Sequence, residues 1–167
     1  FRNRPMPMSD SAAPDRPLDL VIFGGAGDLS VRKLLPALFA AHRHGHLPAQ
    51  ARIVVLGRQP WDRGGFFDFI QDKVAGFVGE EDRQGDHWPG FLDRLVHATL
   101  DATRPQDFVA LGELLRPGAD GIFYLATAPT LFTGICAHLD AAGLIEADSR
   151  VVLEKPLGHD LASARRI

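Results

Sequence analysis

The sequence predicts an α/β domain with a Rossmann-type, doubly wound parallel sheet and helices on both faces. Five short apolar runs alternate with stretches of helical periodicity, and glycines directly follow the first run. The chain has 167 residues, 46% of them apolar and 23% charged, which is typical of one globular domain. Right-handed crossovers return each strand to the same sheet, so the strands are expected to be parallel.

The first predicted strand spans residues 18–23, and the helix after it has apolar residues at the i, i+3, i+4, i+7 spacing. Pro36 interrupts the helical hydrogen-bond ladder and predicts a tight first turn or a kink. Gly45 is placed to end the helix. The predicted apolar face consists of Val31, Leu34, Leu35 and Leu38.

The remaining strands are predicted at residues 53–56, 96–101, 121–125 and 150–154. Ligands of such sheets bind beyond the carboxyl ends of the strands, so functional residues are expected just after residues 23, 57, 101, 125 and 154. The polar, glycine-rich stretch 79–90 is predicted to be a loop. The predicted helix faces are Phe66, Ile70, Val74 and Phe77; Phe108, Leu111, Leu114 and Leu115; and Phe132, Ile135, Cys136 and Leu139.

Composition excludes several classes of protein. The 18 Lys and Arg residues against 21 Asp and Glu residues give a net charge of −3, without the basic field of a nucleic-acid binder. No apolar run approaches the roughly 20 residues that cross a bilayer. Cys136 is the single cysteine, so neither an internal disulfide nor a Cys-x-x-Cys site is available, and a cytoplasmic location is expected.

The glycine turn is the strongest functional motif. Residues 24–30 read Gly-Gly-Ala-Gly-Asp-Leu-Ser, a dinucleotide fingerprint with serine where the third glycine or alanine is expected. Glycines let the backbone approach a pyrophosphate, whose charge is met by free N–H groups at the helix start. The turn therefore predicts nucleotide binding, with a plain tight turn as the alternative.

Arg58 predicts the kind of nucleotide. NAD-binding sites usually carry an acidic residue at the end of the second strand, whereas this chain has Gly57-Arg58-Gln59. A guanidinium there attracts a 2′-phosphate, so NADP is the expected cofactor. The alternative is a solvated surface arginine.

Three motifs together resemble the amino-terminal coenzyme domain of glucose-6-phosphate dehydrogenases. They are the glycine turn with Arg-Lys-Leu at 32–34 and Pro36, the Phe-Tyr-Leu-Ala run at 123–126, and Glu-Lys-Pro-Leu-Gly at 154–158. The resemblance covers residues 18–167, which we interpret as a dinucleotide-binding domain that is incomplete at its C-terminal end. Residues 1–17, with four prolines, are predicted to be a disordered leader. We therefore expect the sequence to be a fragment of a longer reading frame.

The resemblance also implies which residues contact ligands. Lys155 would touch both coenzyme and sugar phosphate, and its position beyond a strand and before Pro156 agrees with that role; a surface lysine is the alternative. Phe132 lies on the apolar face of a predicted helix, where core packing is its favoured role. The implied cofactor contacts are Gly24, Gly25, Ala26, Gly27, Asp28, Leu29 and Ser30 in the pyrophosphate loop, Arg58 at the 2′-phosphate, Asp101 and Ala102 near the adenosine, Pro129 and Phe132 near the nicotinamide, and Lys155.

The chain departs from the family pattern in what it lacks. Ala128 stands where the family commonly has the first of two prolines, and the family's Arg-Ile-Asp-His-Tyr motif, which carries the catalytic histidine, does not occur in these 167 residues. We therefore assign no catalytic residue. The His-x-His-x-His pattern at residues 42–46 is not interpreted as a metal site, because residues two apart on a helix point in nearly opposite directions.

The resemblance implies an oxidoreductase of the oxidative pentose phosphate pathway. The full-length enzyme would oxidise glucose 6-phosphate at C1 to 6-phosphogluconolactone, pass hydride to NADP⁺ and form a homo-oligomer. The alternative is a non-catalytic NADP-binding sensor that regulates a partner.

The 167-residue chain alone is expected to bind coenzyme without turnover, because hydride transfer needs a base within reach of the departing proton. The measurement is absorbance at the NADPH band with glucose 6-phosphate and NADP⁺ in excess. A measurable rate of NADPH production by the purified chain would contradict this expectation.

Overall fold

The computed structural model describes residues 16–154 and contains the predicted parallel sheet. The strand order is β3-β2-β1-β4-β5, and every neighbouring pair is parallel. This order places β1 at the centre, between two halves that grow outward in opposite directions, which is the doubly wound arrangement. The strands are β1 Leu18–Phe23, β2 Ala51–Gly57, β3 Leu95–Thr99, β4 Asp120–Leu125 and β5 Arg150–Leu153.

Helices connect the strands on both faces of the sheet. A π-helical turn at Ser30–Leu34 leads into the first helix, and another at Ile70–Val74 extends the second. Short 3₁₀ turns occur at Ala75–Phe77, Glu81–Arg83 and Pro129–Leu131. The α-helices are α1 Leu35–Arg43, α2 Arg63–Phe69, α3 His87–Leu92, α4 Pro105–Leu114 and α5 Phe132–Ala141.

Each face of the sheet has its own hydrophobic core. Helices α1, α2 and α3 pack on the face that contains Ile22 and Val55, whereas α4 and α5 pack on the face that contains Val21 and Val54. The alternation follows from the period of two in a strand, which sends successive side chains to opposite faces. The carboxyl edge of the sheet stays open between the two layers of helices.

The prediction of a loop over residues 79–90 is wrong in part. This segment contains the 3₁₀ turn and most of α3; Trp88 is buried within it, and Phe91 is buried directly after it. Both rings pack edge-on against Phe39 of α1, with ring centroids 5.1 and 5.4 Å from it. The polar, glycine-rich composition indicated a loop, but burial of two aromatic side chains outweighs that local preference.

The predicted helix face around Phe77 is also corrected. Its side chain is 49% exposed, and the Arg32 guanidinium lies 5.4 Å from the ring centroid. The change to 3₁₀ geometry after Val74 turns this position away from the core. At Pro36 the expected tight turn or kink is a widened turn, in which the Leu35 amide donates to the Ser30 carbonyl five residues earlier.

A charged cluster closes the amino edge of the sheet. Asp19 on β1 is 2% exposed and accepts hydrogen bonds from the Arg52 and Arg116 guanidinium groups at 2.9 to 3.1 Å. Burial by itself raises the pKa of the Asp19 carboxyl, but the hydrogen bonds from Arg52 and Arg116 outweigh it and lower the pKa below its usual value. The cluster links β1, β2 and the segment after α4.

Replacing Asp19 with Ala is expected to lower the free energy of unfolding by about 2 to 4 kcal/mol, because two partly buried guanidinium groups lose their counter-charge. Urea unfolding at pH 7 measures the change, with Asp68→Ala on the exposed side of α2 as the matched control. Since the folded-state pKa of Asp19 is lowered, its contribution is complete above the unfolded pKa and is lost as pH falls through the folded one. Equal losses in the two variants would contradict the role of the cluster.

Candidate coenzyme site

The glycine turn lies between β2 and β4, the two strands that flank β1. Gly25 donates its amide to the Leu56 carbonyl of β2 at 2.9 Å, and the Ala126 amide donates to the Phe23 carbonyl at 3.0 Å. Gly24 has φ of +72°, and a Cβ there would lie 2.7 Å from the Ala126 carbonyl oxygen. A Cβ on Gly25 would lie 2.5 Å from Val55 Cγ1. No side chain larger than hydrogen fits either position without movement of the strands.

The start of the first helix presents backbone donors at the carboxyl edge of the sheet. The Val31 amide donates to the Gly27 carbonyl at 3.0 Å, which makes Gly27 the last residue before the helical ladder. The amides of Asp28, Leu29 and Ser30 are therefore the first-turn donors that a helix leaves unpaired. They carry the positive end of the helix dipole, which favours an anion.

Ser30 has a structural role that explains its departure from the fingerprint. Its side chain is fully buried, and its hydroxyl donates to the Gly24 carbonyl at 3.0 Å. The same carbonyl accepts the Gly27 amide at 3.0 Å, so the turn is closed by two hydrogen bonds. The side chain of Asp28 is exposed and pairs with Arg32 at 2.6 Å instead of facing the turn.

A cleft of about 380 Å³ opens beside the turn, at the carboxyl ends of β1, β2 and β4 and just beyond β3. Four of the five positions at which the sequence predicted functional residues border it, and the fifth follows Glu154, where the described residues end. The lining residues are Phe23, Gly24, Ala26, Gly27, Leu56, Gly57, Arg58, Gln59, Leu100, Asp101, Ala102, Thr103, Thr127 and Leu131.

Arg58 and Asp101 give the cleft its charged groups. Arg58 is exposed at the end of β2. The Asp101 carboxylate accepts the Thr103 hydroxyl at 2.6 Å and the Thr103 amide at 2.9 Å. These bonds lower the pKa of Asp101, and the positive charge of Arg58 contributes in the same direction. Asp101 is thus a carboxylate at neutral pH, and one of its oxygens already accepts two hydrogen bonds from Thr103.

The structure brings together only some of the residues that the sequence singled out. Six of them line the cleft: Gly24, Ala26, Gly27, Arg58, Asp101 and Ala102. The other predicted residues within 16–154 do not line the cleft. Gly25 and Ser30 hold the turn by hydrogen bonds, Asp28 and Leu29 open the first helix, and Pro129 begins the 3₁₀ turn before α5. Phe132 is 1% exposed and belongs to the core. Lys155 and the leader residues 1–15 lie outside the described residues.

Several cleft residues were missed by sequence reasoning. Gln59, Thr103, Thr127 and Leu131 line the cleft, yet none of them belongs to a recognisable motif. Each directly follows the end of a strand or the short segment after it, so the rule that ligands bind at this edge was the available signal.

A partly buried tyrosine links the last two strands of the sheet. The Tyr124 hydroxyl of β4 donates a hydrogen bond to the Glu154 carboxylate, which follows β5. Partial burial, followed by the bond to Glu154 and its charge, raises the pKa of Tyr124 to about 12. The bond therefore joins the end of β4 to the last described residue.

Within residues 16–154, no group of three or more His, Cys, Asp and Glu side chains is arranged to hold a metal ion. No helix in the same range has the length and hydropathy to cross a membrane.

The parallel sheet, its strand order and the glycine turn before the first helix define a nucleotide-binding domain of the Rossmann class. The family described as glucose-6-phosphate dehydrogenase, NAD binding domain, matches residues 21–167. The chain therefore belongs to this family. The predicted doubly wound fold and a nicotinamide dinucleotide as the class of coenzyme are confirmed.

Individual relatives agree with this assignment. A glucose-6-phosphate 1-dehydrogenase of Mycolicibacterium smegmatis is 43% identical over 96% of this chain and 34% of its own length. One of Zymomonas mobilis is 44% identical over 89% of this chain and 31% of its own length. A crystal structure of the enzyme from Mycobacterium avium superposes with a TM-score of 0.80 at 27% identity, covering 90% of this chain and 32% of that one. The chain spans about a third of the length of the relatives that it matches.

Replacing Gly24 with Ala is expected to lower the free energy of unfolding by about 3 kcal/mol, through the positive φ and the contact with the Ala126 carbonyl. Gly45→Ala is the matched control, since Gly45 has the same φ of +72° but nothing within 4 Å of its Cβ position. It should cost about 1 kcal/mol. Chemical unfolding of both variants measures the difference, and a similar loss at the two glycines would show that close approach to β4 is unimportant.

Proposed function

We propose that the chain binds NADP as the coenzyme half of a glucose-6-phosphate dehydrogenase. The observation that supports NADP over NAD is Arg58, which lines the same cleft as the glycine turn and stands where NAD-binding domains usually carry an acidic residue. A guanidinium offers a 2′-phosphate several donors in one plane and a permanent positive charge.

The residues of the cleft fit a dinucleotide. Gly24 and Gly25 let the turn lie against the neighbouring strands, so the helix that carries the amides of residues 28–30 starts beside the cleft, where we place the diphosphate. Asp101 and Ala102 lie beyond β3 on the side of Arg58, where we place the adenosine. Thr127 and Leu131 border the cleft beyond β4, and Pro129 opens the short turn between them, where we place the nicotinamide half.

The role of this chain in the reaction is binding and orientation. NADP⁺, when bound, supplies the ring that accepts a hydride. The helix amides would hold the diphosphate, Arg58 the 2′-phosphate, and Leu131 would cover one side of the nicotinamide from water. Fixing the coenzyme at three points lowers the entropic cost of reaching the reactive geometry.

The complete reaction is proposed from the relatives. They are named glucose-6-phosphate 1-dehydrogenases, and one structure at 29% identity and a TM-score of 0.78 is described as the enzyme with its substrate glucose 6-phosphate. We propose the same substrate, oxidised at C1 to 6-phosphogluconolactone, with Lys155 as a contact to both coenzyme and sugar phosphate. The bond from Tyr124 to Glu154 fixes the residue before this lysine. Assembly into a homo-oligomer and a cytoplasmic location remain predictions.

Replacing Arg58 with Ala should weaken NADP binding by roughly 10- to 100-fold, the loss of charge-assisted hydrogen bonds to the 2′-phosphate, while NAD affinity changes less than about twofold. Isothermal titration calorimetry with both coenzymes measures this. Arg104→Ala, a nearby exposed arginine outside the cleft lining, is the matched control. Equal losses for NADP and NAD in the Arg58 variant would contradict the proposed contact.

A further inference from the structure

His97 holds the segment that carries Arg58. The side chain extends from β3 beside the carboxyl end of β2. Its Nδ1 atom lies 3.0 Å from the Val55 carbonyl oxygen, and its Nε2 atom lies 2.9 Å from the Gln59 carbonyl oxygen. The Thr99 hydroxyl donates to the same Gln59 carbonyl at 3.0 Å. The ring therefore connects β2 to the residue that follows Arg58.

Both hydrogen bonds of this ring require a proton on each nitrogen. A carbonyl oxygen only accepts, and a neutral imidazole has a single N–H, so the neutral ring makes one of the two bonds and faces the other carbonyl with a lone pair. The imidazolium form donates to both.

Aromatic rings pack against the imidazole and hold its orientation. Phe66 stacks on His97 with ring centroids 5.2 Å apart, and the Trp61 ring lies at 5.3 Å. The charged groups facing the same pocket come from the start of α2, namely Asp62, which caps that helix by accepting the Gly65 amide, and Arg63, which lies over the Phe67 ring. On the other side, the β2 end contributes Arg58.

The Gln59 carbonyl is the point through which His97 acts on the cleft. Gln59 and Arg58 both line it, and the Gln59 side-chain oxygen lies 2.5 Å from the position of a Cβ on Gly57. The Gln59 side chain thus lies against Gly57 at the end of β2. If the Nε2 bond from His97 is lost, the Thr99 hydroxyl alone holds the Gln59 carbonyl, and Arg58 is less well positioned.

We propose that His97 is a positioning residue for coenzyme specificity: its hydrogen bond to the Gln59 carbonyl fixes the segment that carries Arg58 and so raises the affinity for NADP over NAD. The inference rests on the proposed binding of NADP by Arg58. His97 itself does not touch the coenzyme.

The experiment compares the full chain with His97→Gln and His44→Gln, an exposed histidine at the end of α1, by calorimetry at pH 7.5 with NADP and with NAD. His97→Gln should weaken NADP binding by about 3- to 10-fold, the effect of one lost hydrogen bond. NAD binding by His97→Gln, and the binding of both coenzymes by His44→Gln, should be unchanged.

The outcomes separate the two claims. If the unmodified chain binds neither coenzyme, the proposed function fails. If the unmodified chain binds NADP, and His97→Gln keeps the same NADP affinity or loses affinity equally for NADP and NAD, the positioning role is wrong.

A measurement on the unmodified chain avoids any folding defect of the variant. NMR at pH 7.5 should detect a slowly exchanging ring N–H of His97 with a scalar coupling to the Gln59 carbonyl carbon across the hydrogen bond. A ring without this coupling would overturn the inference.

Discussion

The backbone of the turn after β1 lies so close to β2 and β4 that a Cβ at Gly24 or Gly25 would overlap atoms of those strands. Two strand-like hydrogen bonds, from Gly25 to Leu56 and from Ala126 to Phe23, continue the sheet into the turn. The first helix therefore starts at a fixed place at the carboxyl edge. The direction of its unpaired amides follows from that constraint, and so does the position of the cleft beside them.

The two edges of the sheet are arranged for different purposes. At the amino edge, the buried Asp19 satisfies two guanidinium groups, and charge is neutralised within the domain. At the carboxyl edge, Arg58 is exposed and lines the cleft, and the first helix begins directly after Gly27, another lining residue, so this edge keeps the capacity to bind an anion. Because these charged groups lie at opposite ends of the strands, Asp19 and Arg58 can be replaced separately to test stability and anion binding.

Local patterns predicted the parts of the fold that depend on local physics. The bounds of β1 and the end of the first helix at Gly45 follow from apolar runs and from a glycine with positive φ. The sequence could not show α3, since the burial of Trp88 against Phe39 depends on contacts distant along the chain. The glycine turn and Arg58 are local features and could be predicted from the sequence. The contribution of Gln59 could not, because it depends on how β3 lies beside β2.

The central claim is that a diphosphate is held by the amides at the start of the first helix. The most direct measurement is ¹⁵N-labelled NMR of the chain during titration with NADP, followed residue by residue. The amide signals of Asp28, Leu29 and Ser30 should show the largest shifts of the glycine-turn region, with saturation at the same concentration as the signal of Arg58. Saturable shifts confined to other parts of the chain, with these three amides unchanged, would contradict the account.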